Sequence, residues 1–253
     1  MAEFELYVFD LDGTLYRGDE AIPFAVEAVA RLRADGAKIA FLTNNSSRTR
    51  AEFVAKLGHM GFAAEPHEVE SSGTATAAYL QEHGLLDVQI LGEAGLAATL
   101  READLKVQEP DDDWTTPAQA VVVGIFRQLR YEHLAKAMSS IRGGAHFVAT
   151  NADPTFPLEG GRQIPGAGTI VRAVETCSGT APVIVGKPNP YLTSLAIERA
   201  GVNPARTLVV GDRMDTDIAS GEAAGAETLL VLTGVTETAP SGQRWLADLR
   251  ELG

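Results

Sequence analysis

Two aspartates separated by one residue, Asp10 and Asp12, close the apolar run in "YVFDLDGTLY" (residues 7–16). The preceding residues, 5–9, read as a buried strand, and Gly13 lets the chain turn sharply so that both carboxylates face one cavity. Such a pair repels itself unless a cation holds it or one member is protonated. A hard divalent cation with oxygen ligands, Mg²⁺ first among them, resolves the conflict. The two acids can also divide labour, Asp10 as a nucleophile at the strand end and Asp12 as the acid for a leaving group. A solvated turn after an edge strand is the competing reading of D-x-D-G-T taken alone.

Three further stretches carry similar chemistry. "FLTNNS" offers Thr43 and Asn44, whose hydroxyl, amide or backbone N–H groups can hold an oxyanion, although such residues are also ordinary turn formers. "VGKPNP" sets Lys187 just past a strand, where an ammonium neutralises phosphate charge. It is not a phosphate-binding P-loop, because position 181 is Ala where that motif needs Gly and Pro188 replaces its Ser/Thr. "VVGDRMDTDIASG" projects Asp212 from a strand end and returns Asp217 near the start of the next helix, a metal cradle in outline. Asp215 reads as an N-cap or first-turn acid.

The elements that must position these residues alternate along the chain. Short apolar or β-branched runs are followed by longer amphipathic segments, which predicts an α/β fold with mainly parallel strands and right-handed crossovers. Ligands of such sheets sit outside the carboxyl ends of the strands, where all four stretches fall. A second group of strand ends in the middle third predicts an inserted lobe. The expected division is core 1–77, insertion 78–181 and core 182–253, with a strand at 182–185 and a terminal helix in "SGQRWLADLREL" docked by Trp245 and Leu246.

Composition narrows the function classes. At 253 residues, with 45% hydrophobic and 22% charged, the chain has ordinary globular make-up. A net charge of −13 without any basic run disfavours nucleic acid and anionic membranes as partners. No apolar run approaches the roughly 20 residues of a membrane helix, and the N-terminal residues do not read as a secretory signal. Cys177 stands alone, so no internal disulfide forms and a reducing cytoplasm is expected; the sequons at Asn44 and Asn45 then carry no weight. The five histidines are not paired at metal-ligand spacing, and no G-x-G-x-x-G follows a predicted strand.

Taken together and in order, "DLDGTLYRG", "TNNSSRT", "GKPNP" and "GDRMDTDI" make the chain resemble a haloacid-dehalogenase-superfamily phosphatase over essentially its whole length. The branch it resembles contains the p-nitrophenyl phosphatases and NagD-like enzymes, and "ATNADPTFP" is similar to that branch's cap segment. The resemblance implies a doubly wound, Rossmann-like parallel-sheet core with a large α/β cap inserted between the second and third motifs. It implies that Asp10 attacks phosphorus and forms an aspartyl-phosphate, and that Asp12 protonates the leaving alcohol and then activates water. Mg²⁺ would be held by Asp10, the Asp12 backbone carbonyl and Asp212, with Asp217 either a further ligand or a support behind the ligands, and the phosphoryl oxygens by Thr43, Asn44, Lys187 and the N–H groups of Leu11 and Gly13. No organic cofactor is implied.

The cap is expected to choose the substrate, a small phosphate monoester. Asn151 and Asp153, after a predicted cap strand, and Arg162 are the candidates for leaving-group contacts; turn chemistry before Pro154 and Pro157 is the competing explanation. Sugar phosphates, phosphoglycolate, nucleoside monophosphates and pyridoxal phosphate all remain open as substrates. A phosphomutase using the same intermediate is the alternative activity. A phospho-accepting signalling module of the response-regulator type is disfavoured, since its usual module is about half this length and lacks a large insertion. The branch also allows cap-to-cap homodimers, although no diagnostic stripe marks one here.

Overall fold

The strand Leu6–Asp10 has the continuous apolar run of a strand covered on both faces, and its first four residues are buried. It lies in the middle of a six-stranded sheet. On one side Leu6 to Phe9 pair with Thr207 to Val210, and on the other Leu6 to Asp10 pair with Lys38 to Leu42, both in parallel. The order across the sheet is Trp245–Leu246, Glu227–Val231, Thr207–Gly211, Leu6–Asp10, Lys38–Thr43 and Val69–Ser71, the first five running parallel. Their carboxyl ends therefore share one edge. Tyr7, Phe9, Phe41, Phe53, Leu57 and Val210 belong to the apolar core packed against this sheet.

These coordinates are a computed structural model that describes residues 3–157 and 162–252. The chain divides into two units: Met1–Thr43, Arg50–Glu70 and Lys187–Gly253 form one, and Asn44–Thr49 with Ser71–Gly186 form the other. The inserted body thus begins and ends differently from the expected 78–181. Helix Ser72–Glu82 is nearly all buried within it and starts from a reciprocal cap, in which Thr74 N–H donates to Ser71 Oγ and Ser71 N–H to Thr74 Oγ1. At the other end, Val183–Ile184 pairs in parallel with His146–Ala149, so the strand expected in the returning core belongs to the insertion's sheet.

The inserted body has its own five-stranded sheet, ordered Val183–Ile184, His146–Ala149, Ala120–Val123, Asp87–Leu91 and Lys106–Gln108, and parallel throughout. Thr155–Pro157 and Gln163–Pro165 add a short antiparallel pair. The architecture is the expected α/β core with an inserted α/β subdomain.

The expected terminal helix is not formed. Trp245–Leu246 instead extends the core sheet beside Leu230 and Val231, and Asp248 then caps a single 3₁₀ turn, Leu249–Glu251. Backbone pairing at the sheet edge and burial of Leu249 and Leu252 outweigh the helical spacing of "WLADLREL". Among the described residues no helix is long and apolar enough to cross a membrane.

Candidate active site

Two neighbouring parallel strands deliver the acids. Asp10 ends the strand Leu6–Asp10, Asp212 follows Thr207–Gly211, and Asp217 sits in the π-turn Met214–Ile218 that comes next. Each of these acids offers a carboxylate oxygen within 4.8 Å of those of the other two. Lys187 Nζ donates to Asp10 Oδ1 at 2.6 Å and to Asp217 Oδ1 at 2.7 Å, and its side chain is only 3% exposed. The wider turn serves Asp217, since the N–H groups of Asp217 and Ile218 both reach Arg213 O, and Arg213 N–H returns to Asp217 Oδ2 at 3.1 Å. Asp215, by contrast, points outward and pairs with Arg213 at 2.9 Å, in keeping with a first-turn acid.

Three carboxylates and one ammonium leave an excess of negative charge in a dry place. Burial pushes the Asp10 carboxyl well above its ordinary range; the Asp217 charge adds to this, while Lys187 opposes it. Asp212 is pushed up to about 7, first by burial and then by Asp217. Burial works against a charged Lys187, but Asp10 and Asp217 outweigh it and hold the ammonium above the usual lysine value.

Asp212 Oδ2 accepts the Val235 N–H at 2.6 Å, whereas its Oδ1 is buried without a hydrogen-bond partner. An orphaned buried carboxylate oxygen, two more acids in reach and all-oxygen donors fit a hard divalent cation. The residues present therefore suit Mg²⁺.

The first turn holds its own residues closely. Leu11 is fully buried, and its carbonyl accepts N–H groups from Thr14, Leu15 and Tyr16. The expectation that Gly13 offers its N–H to a phosphoryl oxygen meets a competing acceptor, because that N–H goes to Tyr16 O at 2.8 Å. The need for glycine there is instead conformational and steric: φ is 91°, and a Cβ would lie 2.6 Å from Asp212 Oδ2. Asp12 is half-buried just past the strand and bridges to Tyr16, and its side chain is not one of the three clustered acids. Asp10 is in register with Leu42, so the buried Thr43 lies one step further along the neighbouring strand.

The remaining candidates belong to the inserted body. Asn44 Nδ2 donates to Asp153 Oδ2 at 2.8 Å, and Asn151 Nδ2 donates to the same oxygen at 2.7 Å. Asn151 Oδ1 accepts from Thr150 Oγ1, which also lies 3.1 Å from Ser46 Oγ. Residues 44–49 thus sit on the carboxyl ends of the inserted strands. A Cβ on Gly124 would lie 2.8 Å from Ser46 Oγ, and one on Gly95 would overlap Ser47 O. Arg162 is exposed beside the strand Gln163–Pro165.

Sequence reasoning missed the loop after the strand Glu227–Val231, where Thr233 Oγ1 donates to Gly13 O at 2.7 Å and Val235 supplies its N–H to Asp212. The available signal was position alone, since "TGV" follows a parallel strand as the other motifs do.

Comparison with known proteins agrees with this geometry. Residues 7–106 match the model of the haloacid dehalogenase-like hydrolases, and residues 184–250 match a second HAD-hydrolase-like model. A glycerol-3-phosphate phosphatase of Gallus gallus is 39% identical over 256 residues, covering 93% of this chain and 82% of its own. A p-nitrophenyl phosphatase from Archaeoglobus fulgidus superposes with a TM-score of 0.89 at 34% identity, covering 98% of both chains. A glycerol phosphate phosphatase from Mycobacterium tuberculosis, solved in complex with magnesium, gives 0.87 at 36% identity, over 99% of this chain and 77% of that one. The chain belongs to the haloacid dehalogenase-like hydrolases and is a phosphatase of the branch that holds the p-nitrophenyl phosphatases and NagD.

Proposed function

We propose that this phosphatase hydrolyses small phosphate monoesters through an aspartyl-phosphate on Asp10, with a short polyol phosphate such as glycerol phosphate as the first substrate to try. The observation that carries the reading is the buried set of Asp10, Asp212 and Asp217 around Lys187, with one Asp212 oxygen left without a partner. Two relatives that act on glycerol phosphate support the substrate class.

An Asp10 oxygen attacks phosphorus while the P–O bond to the alcohol breaks, and Asp12 gives its proton to the departing oxygen. Asp12 then takes a proton from water; the resulting hydroxide attacks phosphorus, the P–O bond to Asp10 breaks, and phosphate leaves. Lys187 exchanges its carboxylate partners for phosphoryl oxygens, with Thr43, Asn44 and the Leu11 N–H as further donors; positioning and charge stabilisation of this kind supply most of phosphoryl-transfer catalysis. Mg²⁺ held by Asp10, Asp212, Asp217 and the Asp12 carbonyl supplies the charge that keeps Asp10 ionised and offsets the phosphoryl oxygens. Asn151, Asp153 and Arg162 are the candidates for leaving-group contact, and Asp153 also accepts from the Asn44 amide.

The test is phosphate release from p-nitrophenyl phosphate and a panel of esters with Mg²⁺, with EDTA, and with Asp10→Asn. Turnover should require Mg²⁺ and fall by at least about a thousandfold in the variant. Label moving between hydroxyls without free phosphate would overturn hydrolysis in favour of a mutase. We further read the protein as cytoplasmic, supported by a lone Cys177 that can form no internal disulfide; cell fractionation tests this.

A further inference from the structure

We propose that the loop Thr233–Thr236 is a positioning element of the metal seat, which commits Asp212 to offer Oδ1 and only Oδ1 to the cation. The inference rests on the Mg²⁺ seat described above and adds residues outside the four motifs. Asp212 is clamped from several directions. The Val235 N–H takes Oδ2 at 2.6 Å, and the Thr236 N–H takes the Asp212 carbonyl at 3.2 Å. A Cβ on Gly234 would overlap the Asp212 side chain, and one on Gly13 would crowd it from the first turn. With the carboxylate 1% exposed, it has no room to rotate.

The loop is itself anchored to the first turn. Thr233 Oγ1 donates to Gly13 O at 2.7 Å, and Arg17 Nε donates to Thr233 O at 2.9 Å. Gly13 follows Asp12, whose carbonyl is the candidate backbone ligand. The Thr233 hydroxyl therefore ties the turn carrying that carbonyl directly to the loop that aims Asp212, with Arg17 holding the same residue from its carbonyl. Partners that orient a metal ligand without touching the metal typically cost about 10- to 100-fold in affinity when lost. The exposed Val235 side chain contributes nothing to this; the backbone N–H and the small neighbour Gly234 do.

The experiment is Mg²⁺ titration calorimetry on the full chain without substrate, with the Mg²⁺-induced rise in Tm as a second readout. Gly234 lies outside the positive-φ region, and the three atoms nearest the new methyl in Gly234→Ala all belong to the Asp212 side chain, so the variant should weaken Mg²⁺ about 10- to 100-fold. Thr233→Val, which keeps the shape and removes the donor, should weaken it severalfold, and Thr233→Ser should restore it. Equal Mg²⁺ affinity in the Val and Ser variants overturns the proposal, even if Gly234→Ala does not fold. A parent chain that binds no Mg²⁺ overturns the seat itself. Failure of the phosphatase reading appears separately, as Mg²⁺ binding without phosphate release.

Discussion

The two bodies use one architecture for opposite purposes. Both have a parallel sheet with the carboxyl ends of its strands along one edge. In the core, those ends carry Asp10, Asp212 and Asp217 around a buried lysine, an arrangement that burial and like charge push away from full ionisation. In the inserted body, the ends carry Gly124, Thr150 and Asn151, and the space beside them is taken up by residues 44–49, with the Ser46 hydroxyl against Thr150 and the Asn44 amide donating to the Asp153 carboxylate. A parallel sheet supplies a place for a ligand. Whether one binds depends on whether the strand ends leave charge unsatisfied or the chain fills the place itself.

The largest expected contrast comes from removing charge in the core. Lys187→Met should nearly abolish turnover and, at pH 8 in EDTA, destabilise the fold by about 3–5 kcal/mol, the usual cost of breaking a buried pair. Urea titrations with and without Mg²⁺ would show it, and parent-like stability in EDTA would break the comparison. The next effect is one of pH. Without metal, folded Asp212 keeps its proton up to about 7 while the unfolded carboxyl loses it near 3.8. The native state then binds more protons than the unfolded chain, so stability is highest at the acid side of that window and falls as pH rises through about 7. Calorimetry in EDTA between pH 5 and pH 8 checks the sign, and Mg²⁺ should recover more stability at the higher pH. In the inserted body, Thr150→Val should cost about 1–3 kcal/mol for unpaired buried partners, with the same loss in Mg²⁺ or EDTA. The smallest expected change is Gly58→Ala in helix Arg50–His59, where nothing lies within 4 Å of the new methyl; it should stabilise by about 0.5–1 kcal/mol.

The chemistry of the core was legible because each motif follows a strand whose apolar run announces it, and because Asp, Lys and Gly at a strand end have few structural uses. Asp10, Lys187, Asp212 and Asp217 converge as that reasoning expects. What stayed hidden depends on contacts between distant residues. Thr233 reads as a turn residue until Gly13 is seen 220 positions away. Asp153 sits beside Pro154 as a turn acid would, and only the fold brings the Asn44 amide to it. The C-terminal segment misled for a related reason, since its helical spacing is local while the strand edge that captures Trp245 and Leu246 is not. Gly13 was expected as an N–H donor, but the nearby Tyr16 carbonyl takes that donor and leaves the glycine a steric task.

The seating of residues 44–49 on the inserted sheet bears on how such enzymes can be recombined. A cap transplanted from a relative as the uninterrupted stretch 71–186 would arrive without the short piece that covers its strand ends, exposing Gly95, Gly124 and Thr150 to a foreign loop. The exchangeable module is discontinuous, two pieces of chain cut at four places. A chimera that carries both keeps Asn44 on its own partner, Asp153.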